Sequence, residues 1–285
     1  MEFVRKRNGR CPDLTWVTLE EGEKFPLLVY KNLEETGLVR HGFTTRMGGV
    51  SKGIYSELNL SYTRGDDPEA VTENFYRTAK ALGVDPGKLV LSDQTHTTNV
   101  RKVTAEDGGK GFSRPRDYTD VDGLITNVPG ITLCTFFADC VPLFFLDPVK
   151  KAIGMSHSGW RGTVGRMGAQ TLSAMRQAYG TDPKDVLCAI GPSICQECYE
   201  VSADVAEAFQ KEFPGHEAEI LWKKSAEKYQ LDLWKANEII LLEAGIKKEH
   251  LMITDICTCC NPKMLFSHRA SHGKRGNLGG FICLR

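Results

Sequence analysis

The chain has 285 residues, of which 41% are apolar and 25% charged, so it lies in the ordinary globular range and can bury a large core. Its 36 lysines and arginines balance its 36 aspartates and glutamates, which leaves no net field to attract DNA, RNA or an anionic membrane. No apolar segment follows the N-terminal basic residues, and no stretch approaches the roughly 20 apolar residues of a membrane span. We therefore expect a cytoplasmic protein without a nucleic-acid or membrane partner.

The ten cysteines are too sparse for a disulfide scaffold. In a reducing compartment they stay thiols, which makes them available as metal ligands or nucleophiles.

The first predicted elements are a strand and a capped helix. Residues 38–44 (LVRHGFT) alternate as a strand, and Arg46 in the glycine-rich turn behind it could contact a phosphate or a carboxylate. Residues 66–69 (DDPE) predict a helix start, with an aspartate cap, a proline in the first turn and an acid against the dipole. Apolar residues then follow at helical spacing until Gly83 ends the helix.

Short strands at 89–91 and 99–103 flank a polar, threonine-rich segment that carries His96. A lone histidine between strands is more often a hydrogen-bonded structural residue, but these surroundings leave it accessible to a ligand. The glycine, proline and charged residues at 106–120 are typical of an exposed loop. This loop could cover a site, although a passive surface loop is the favoured interpretation.

Polar residues then interrupt a strongly apolar region of the sequence. After strands at 122–127 and 131–137, Asp139 and Cys140 stand between two phenylalanine-rich runs, and a further strand-like run leads to His157. Burying a carboxylate there is unfavourable unless a metal ion, an arginine or backbone donors compensate its charge. The alternative is that the thiol acts as a small buried hydrophobe and the carboxylate caps a turn.

The second half of the chain alternates helices and strands. Helices are predicted at 165–179, from Ser202 and from Asp232, and strands at 186–190, 229–231 and 251–256. The mixture predicts an α+β fold with mixed β-sheets flanked by helices. We expect a single domain over 1–285, with 1–37 as an N-terminal extension of it.

Two C-x-x-C pairs, Cys195 with Cys198 and Cys257 with Cys260, suggest a structural zinc site with four cysteine ligands. The 59 positions from Cys198 to Cys257 far exceed the roughly 15 to 20 residues of an ordinary zinc ribbon. This spacing weakens the zinc interpretation, and a thioredoxin-like dithiol is weaker still.

Seven blocks follow one another from about Val39 to the C-terminus, namely HGFTTRMGGVSKGIYSELNLS, GDDPEAVTEN, DQTHTTNV, DGLITNVPGITLCTFFADCVPLFFLDP, SHSGWRG, AIGPSICQECYEV and CTCCNPKMLFSHR. In this order they resemble the YfiH family, also called the laccase-domain or multicopper polyphenol oxidoreductase family, and in particular its Bacillus-type members. The expected H-A-G-W-R-G is H-S-G-W-R-G here, and the irregular tail leaves open which of Arg269, Lys274 and Arg275 reaches the site.

The resemblance implies a zinc ion bound by His96, Cys140 and His157. It also implies that Arg46 and Arg161 line the cavity as catalytic and phosphate-binding residues. Two imidazoles and a thiolate leave the fourth tetrahedral position of zinc for water, as in catalytic sites, although the same ligands also suit copper. Asp139 is a candidate proton shuttle, or it could orient a ligand from outside the coordination sphere.

The implied activity is phosphorolysis of adenosine, inosine, guanosine and methylthioadenosine to free base and (methylthio)ribose 1-phosphate, with deamination of adenosine to inosine. The partners would be nucleosides and phosphate, and the protein a monomer or small homo-oligomer. One alternative is a cysteine-type hydrolase or amidase in peptidoglycan precursor editing, with Cys140 as nucleophile and His157 as base. The others are a copper-dependent phenol oxidase and a metal-carrying protein that is not an enzyme.

Overall fold

The computed structural model describes residues 2–7, 9, 11–225 and 227–285, and of Glu21 the backbone alone. The chain is an α+β single domain, which confirms the predicted fold class. Within the described part of the chain, no helix combines the length and apolar character needed to cross a membrane.

Two six-stranded sheets form the body of the fold. Across the first sheet the strands are β1 (Asp13–Thr18), β2 (Lys24–Val29), β3 (Val39–Thr44), β15 (Leu278–Leu284), β7 (Thr132–Phe137) and β4 (Leu89–Leu91). Across the second they are β14 (Leu251–Ile253), β10 (Leu187–Ile190), β8 (Val141–Asp147), β9 (Ala152–Ser158), β6 (Gly123–Thr126) and β5 (Val100–Lys102). Both sheets mix parallel and antiparallel pairs.

A small third sheet and seven α-helices complete the described chain. The third sheet contains β11 (Glu200–Ser202), β13 (Lys228–Leu231) and β12 (Leu221–Lys223). The helices are α1 (Lys31–Glu34), α2 (Pro68–Leu82), α3 (Trp160–Val164), α4 (Met167–Tyr179), α5 (Ala203–Glu212), α6 (Glu217–Ile220) and α7 (Leu233–Glu243).

β8 lies between two hydrophobic cores. Its Phe144 and Leu146 face the core between the two large sheets, and Leu143 and Phe145 face the core under α4, α5 and α7. Each fully buried side chain of this size contributes roughly 1.5 to 3 kcal/mol. Because both faces are covered, the strand is apolar throughout instead of alternating.

Helix α2 forms as predicted. The Asp67 carboxylate accepts a hydrogen bond from the Glu69 N–H at 3.0 Å, and Gly83 ends the helix at φ 66°. The helix predicted at 165–179 is α4, which begins at Met167 because Arg166 before it takes a left-handed φ of 58°; the short helix α3 that precedes it was not predicted. Gly165, between the two helices, packs closely against Thr98, since a Cβ at this position would lie 2.7 Å from Thr98 Cγ2.

Strands β1, β2 and β15 were not predicted. Residues 13–29 of the N-terminal segment 1–37 form the edge of the first sheet through β1 and β2, whereas Met1, Asn8 and Arg10 lie outside the described residues. Strand β15 pairs with both β3 and β7 in the centre of that sheet. Its two glycines obscure the strand pattern, but a Cβ at Gly280 would overlap the Met155 side chain of the facing sheet.

Candidate metal centre and cavity

The candidate site lies where the chain crosses from the first sheet to the second. Cys140 ends the bend between β7 and β8, and His157 stands near the end of the adjacent strand β9, paired with Pro142. Asp122 immediately precedes β6, the other neighbour of β9. His96 comes from the loop between β4 and β5.

His96, Cys140 and His157 converge, and we call them the three-ligand site. Their ligand atoms all lie within 4.8 Å of one another. The two imidazole rings are 5.0 Å apart at 78°, so they face a common point from different directions. His157 is only 4% exposed, whereas His96 is exposed to the cavity. The donor set and its convergence fit a tetrahedral metal ion with one position open.

A single carboxylate holds both histidines. Asp122 Oδ2 accepts a hydrogen bond from His157 Nδ1 at 2.7 Å and from the His96 backbone N–H at 3.2 Å. Its Oδ1 accepts from the N–H groups of Thr95 and Thr97 at 2.9 and 3.0 Å. With Nδ1 so engaged, the His157 Nε2 lone pair is directed to the ligand point.

Asp122 was not predicted as a site residue, because its position was assigned to the strand DGLITN. The available signal was chemical: a metal-binding histidine usually donates its second N–H to a carboxylate. Asp139, the carboxylate proposed for such a role, lies next to a ligand in sequence but contacts other groups.

Charge within the site is compensated internally. Burial raises the pKa of the Cys140 thiol, but His157 and His96 outweigh that effect and lower it overall. Burial likewise opposes the charged form of His157, yet the Cys140 thiolate and Asp122 raise its pKa. Without a metal ion these shifts favour a Cys140 thiolate beside a protonated His157. Metal binding would release the Nε2 proton of His157 and retain the thiolate, which is the form that binds metals.

Asp139 is committed to the protein. Its Oδ1 accepts the Thr258 hydroxyl and its Oδ2 the Arg269 backbone N–H, both at 2.6 Å. These two donors compensate the buried carboxylate of Asp139, whose backbone takes a left-handed φ of 89° in the bend. A direct catalytic role of Asp139 stays a prediction.

All three ligands line a cavity of about 620 Å³. Four arginines line it too: Arg64, Arg114, Arg116 and Arg275. Arg116 is paired with Asp93 at 2.7 Å. Arg275 is 9% exposed, and its Nε has no hydrogen-bond partner among the described residues. Burial and the nearby Arg64 lower the pKa of Arg275 to about 10, so two cations converge where an anion would relieve their repulsion.

The arginines predicted from the resemblance lie elsewhere. Arg46 donates to the backbone oxygens of Ser56 and Pro262, each at 2.8 Å, and stacks on Phe266. Arg161 is exposed and stacks on Trp160. Neither is among the residues that line this cavity. Their roles with phosphate stay predictions.

The three basic residues of the tail have different positions. Arg275 lines the cavity, whereas Lys274 is exposed. Arg269 instead donates to the backbone oxygens of Cys198 and Glu200 at 3.3 and 2.9 Å. Of the three, Arg275 is therefore the residue that reaches the cavity.

The loop at 106–120 is a wall of the cavity, which corrects its interpretation as a passive surface loop. Residues 111–116 line the cavity, and Phe112 packs on Phe75 of α2 with ring centroids 5.1 Å apart. The buried Lys110 anchors the loop through Asp107 and Asp117, at 2.8 and 2.7 Å. The wall thus presents an aromatic ring to the cavity.

Comparisons with known proteins agree with this architecture. Residues 40–285 match the family model described as multi-copper polyphenol oxidoreductase laccase. The chain is 37% identical over 249 residues to purine nucleoside phosphorylase YlmD of Bacillus subtilis strain 168, covering 86% of this chain and 88% of the relative. It is 33% identical over 229 residues to adenosine deaminase RL5 of an unknown prokaryotic organism, covering 80% and 87%.

The crystal structure of YlmD from Geobacillus stearothermophilus matches with a TM-score of 0.85 and 32% identity, covering 95% of this chain and all of the other. Bacillus licheniformis YfiH also matches with a TM-score of 0.85 and 32% identity, covering 91% of this chain and 96% of the other. The chain therefore belongs to the multi-copper polyphenol oxidoreductase laccase family, to which the sequence blocks had pointed.

Proposed function

We propose that this chain is a zinc-dependent purine nucleoside phosphorylase that also deaminates adenosine. The observation that carries the proposal is one cavity that combines the three-ligand site with two convergent arginines. The names of the relatives, purine nucleoside phosphorylase and adenosine deaminase, support both halves of it.

For phosphorolysis, Arg64 and Arg275 would bind the phosphate. Its oxygen forms a bond to ribose C1′ while the C1′–N9 bond breaks and the purine leaves with a proton. Because the ribose becomes cationic in the transition state, a phosphate held beside it stabilises the developing charge. Phe112 and Phe136 line the same cavity and offer apolar faces to the purine.

For deamination, a zinc ion held by His96, Cys140 and His157 would lower the pKa of a water and so supply the nucleophile that replaces the 6-amino group. Asp122 keeps the His157 ring and the His96 backbone in place. We propose adenosine, inosine, guanosine and methylthioadenosine as phosphorolysis substrates. The same donor set also accepts copper, which would connect the chain to the oxidase name of the family.

A second candidate, a cysteine-type hydrolase, is supported by the order Cys140, His157, Asp122. A nucleophile, a base and a carboxylate that orients the base form the arrangement of cysteine hydrolases. The lowered pKa of Cys140 suits this role as well.

A screen of the four nucleosides, with and without phosphate, tests the proposal when free base, sugar 1-phosphate and deaminated product are measured separately. We expect base release only with phosphate, and inosine from adenosine without it. A metal chelator should abolish both reactions. Activity that survives the chelator but not a thiol alkylating reagent would establish the hydrolase and contradict the zinc enzyme.

A further inference from the structure

Four thiols converge at a second place, outside the three-ligand site. Cys195 and Cys198 lie in the loop between β10 and β11, and Cys257 and Cys260 follow β14. Their sulfur atoms all lie within 4.8 Å of one another, and we call them the four-cysteine cluster. Two of the four are buried and two partly exposed.

The sheet explains the long sequence gap between the pairs. Strands β10 and β14 are parallel neighbours, and a parallel bridge from Ser193 to Cys257 continues their pairing. Both C-x-x-C turns therefore leave the same end of the second sheet. The chain between them forms the third sheet and α5, α6 and α7, so the gap that weakened the zinc interpretation is an inserted layer and not a separation in space.

The distances suit a shared metal ion better than a disulfide. Cys198 and Cys260 sulfurs are 3.4 Å apart, whereas a disulfide requires about 2.05 Å. Tetrahedral zinc with Zn–S bonds of about 2.3 Å places its sulfur ligands about 3.8 Å apart. The Cys195 backbone N–H also points at Cys257 Sγ at 3.2 Å, a contact that favours thiolate ligands.

We propose that the four-cysteine cluster binds a second metal ion, zinc, for which a tetrahedral set of four thiolates is a common structural site. Four protein ligands complete a tetrahedron and leave no position for water, so this site is structural. Binding converts the thiols to thiolates and releases their protons to solvent. Four thiolates and Zn²⁺ have a net charge of −2, which the ammonium of Lys6, in contact with Cys260, partly offsets.

The cluster is connected to the cavity through Asp139. The hydroxyl of Thr258, within the second C-x-x-C turn, donates to the Asp139 side chain. The Ile194 N–H donates to the Asp139 backbone oxygen at 3.0 Å. Arg269 bonds both Asp139 and the Cys198 carbonyl. A metal ion in the cluster therefore stabilises the bend that carries Cys140. This consequence rests on the proposed function of the three-ligand site, whereas metal binding by the cluster does not.

Metal analysis of the full chain and three variants tests the proposal. We expect about two metal ions per chain in the wild type, about one in His157→Ala and about one in the double variant Cys198→Ser, Cys260→Ser. Cys259→Ser, which changes the neighbouring thiol outside the cluster, is the matched control and should keep both. A His157→Ala protein without metal, or equal metal loss from Cys259→Ser, would overturn the assignment.

Cobalt substitution keeps the test decisive if the double cysteine variant does not fold. His157→Ala loaded with Co²⁺ should show the intense thiolate-to-cobalt charge-transfer absorption of a four-thiolate site. Its absence, or a Cys198–Cys260 disulfide found by mass spectrometry in the purified protein, would contradict the proposal. An inactive wild type whose His157→Ala variant still binds cobalt through thiolates would refute the nucleoside function alone.

Discussion

The three-ligand site and the four-cysteine cluster lie on either side of Asp139 but differ in openness. His96, Cys140 and His157 face a cavity and leave room for a fourth, non-protein ligand. The four-cysteine cluster has four protein ligands packed between two loops and leaves none. One arrangement suits chemistry on a substrate, and the other suits stabilisation of the chain.

The two sites also differ in how they balance charge. The Cys140 thiolate has two histidines beside it, which lower its pKa. In the cluster, hydrogen bonding to Cys257 and burial raise the pKa of Cys195, and burial with hydrogen bonding to Cys260 raises that of Cys198. Thiols that surround one another cannot all ionise without a cation. The open site can therefore persist without its metal, whereas the closed one requires it to form thiolates.

The largest expected effect separates the two sites by activity. His157→Ala removes one of three protein ligands, so we expect phosphorolysis and deamination to fall to the enzyme-free background. The double variant Cys198→Ser, Cys260→Ser should lower thermal stability but keep activity within about tenfold, because it leaves all three ligands in place. Product analysis measures the activity of both variants, and melting curves measure their thermal stability. An equal loss of activity in both would contradict the assignment of catalysis to the three-ligand site alone.

Asp122→Asn sharpens the comparison at the open site. Asparagine cannot supply the negative charge that orients His157, so we expect metal affinity there to fall by about 10- to 100-fold. Chelator competition measures it. Asp120→Asn is the matched control, because Asp120 accepts the Thr95 hydroxyl at 2.7 Å on the same loop without contacting His157. An unchanged affinity in Asp122→Asn would remove Asp122 from the site.

Arg64→Gln tests the anion site of the open cavity. Loss of one charged hydrogen bond to phosphate should raise the KM for phosphate by about tenfold, with little change in deamination. Steady-state kinetics with phosphate varied measures it. Arg77→Gln on α2, whose guanidinium pairs with Glu23 and Glu73 instead, is the control. A KM that rises equally in both variants would contradict the assignment.

Asp139→Asn tests the connection between the two sites. If its contacts to Thr258 and Arg269 only position Cys140, metal affinity at the open site should fall by about tenfold while kcat at saturating zinc changes by a few fold. A proton shuttle would behave differently, since kcat should then fall by about 10²- to 10⁴-fold with the metal retained. Chelator competition and kcat on the same protein distinguish the two.

The smallest effect concerns the core that carries both sites. Burial lowers the pKa of His41 to about 4, and its Nε2 accepts the Tyr30 N–H at 2.8 Å. The unfolded chain takes up this proton near pH 6.5, so the folded state loses stability as pH falls from 6.5 to 4. The loss is about 1.4 kcal/mol per pH unit at most. Urea unfolding of His41→Gln should show a shallower pH dependence, and an identical slope would contradict it.

Local signals in the sequence predicted the elements that form through local contacts. Helix starts were predicted at residues 66–69 and at Asp232, and the side chains of Asp67 and Asp232 there accept backbone N–H groups within three residues. Strand β15 was missed because its Gly280 is explained by Met155 of the opposite sheet and not by its neighbours in sequence. The short helix α3 before Arg166 was missed as well, and the close approach of Gly165 to Thr98 at its end is a tertiary contact.

The family resemblance predicted His96, Cys140 and His157, which the fold brings together. Asp122 and Arg64 escaped prediction, and Arg275 was only one of three candidates, because their roles depend on which strands and loops lie side by side. Asp122 reaches His157 across 35 positions through the pairing of β6 with β9. The periodic pattern of apolar residues in the sequence does not predict this contact between Asp122 and His157.

The four cysteines show most clearly which features the sequence predicts and which depend on the tertiary structure. Their residue types and C-x-x-C spacing are properties of the sequence, and they predict a soft metal ligand set. Whether the two pairs meet depended on β10 and β14 being parallel neighbours, although 58 residues separate Cys198 from Cys257 in the chain. Short-range spacing constrains one turn, whereas a four-ligand site needs two turns in one place, and strand pairing supplies that.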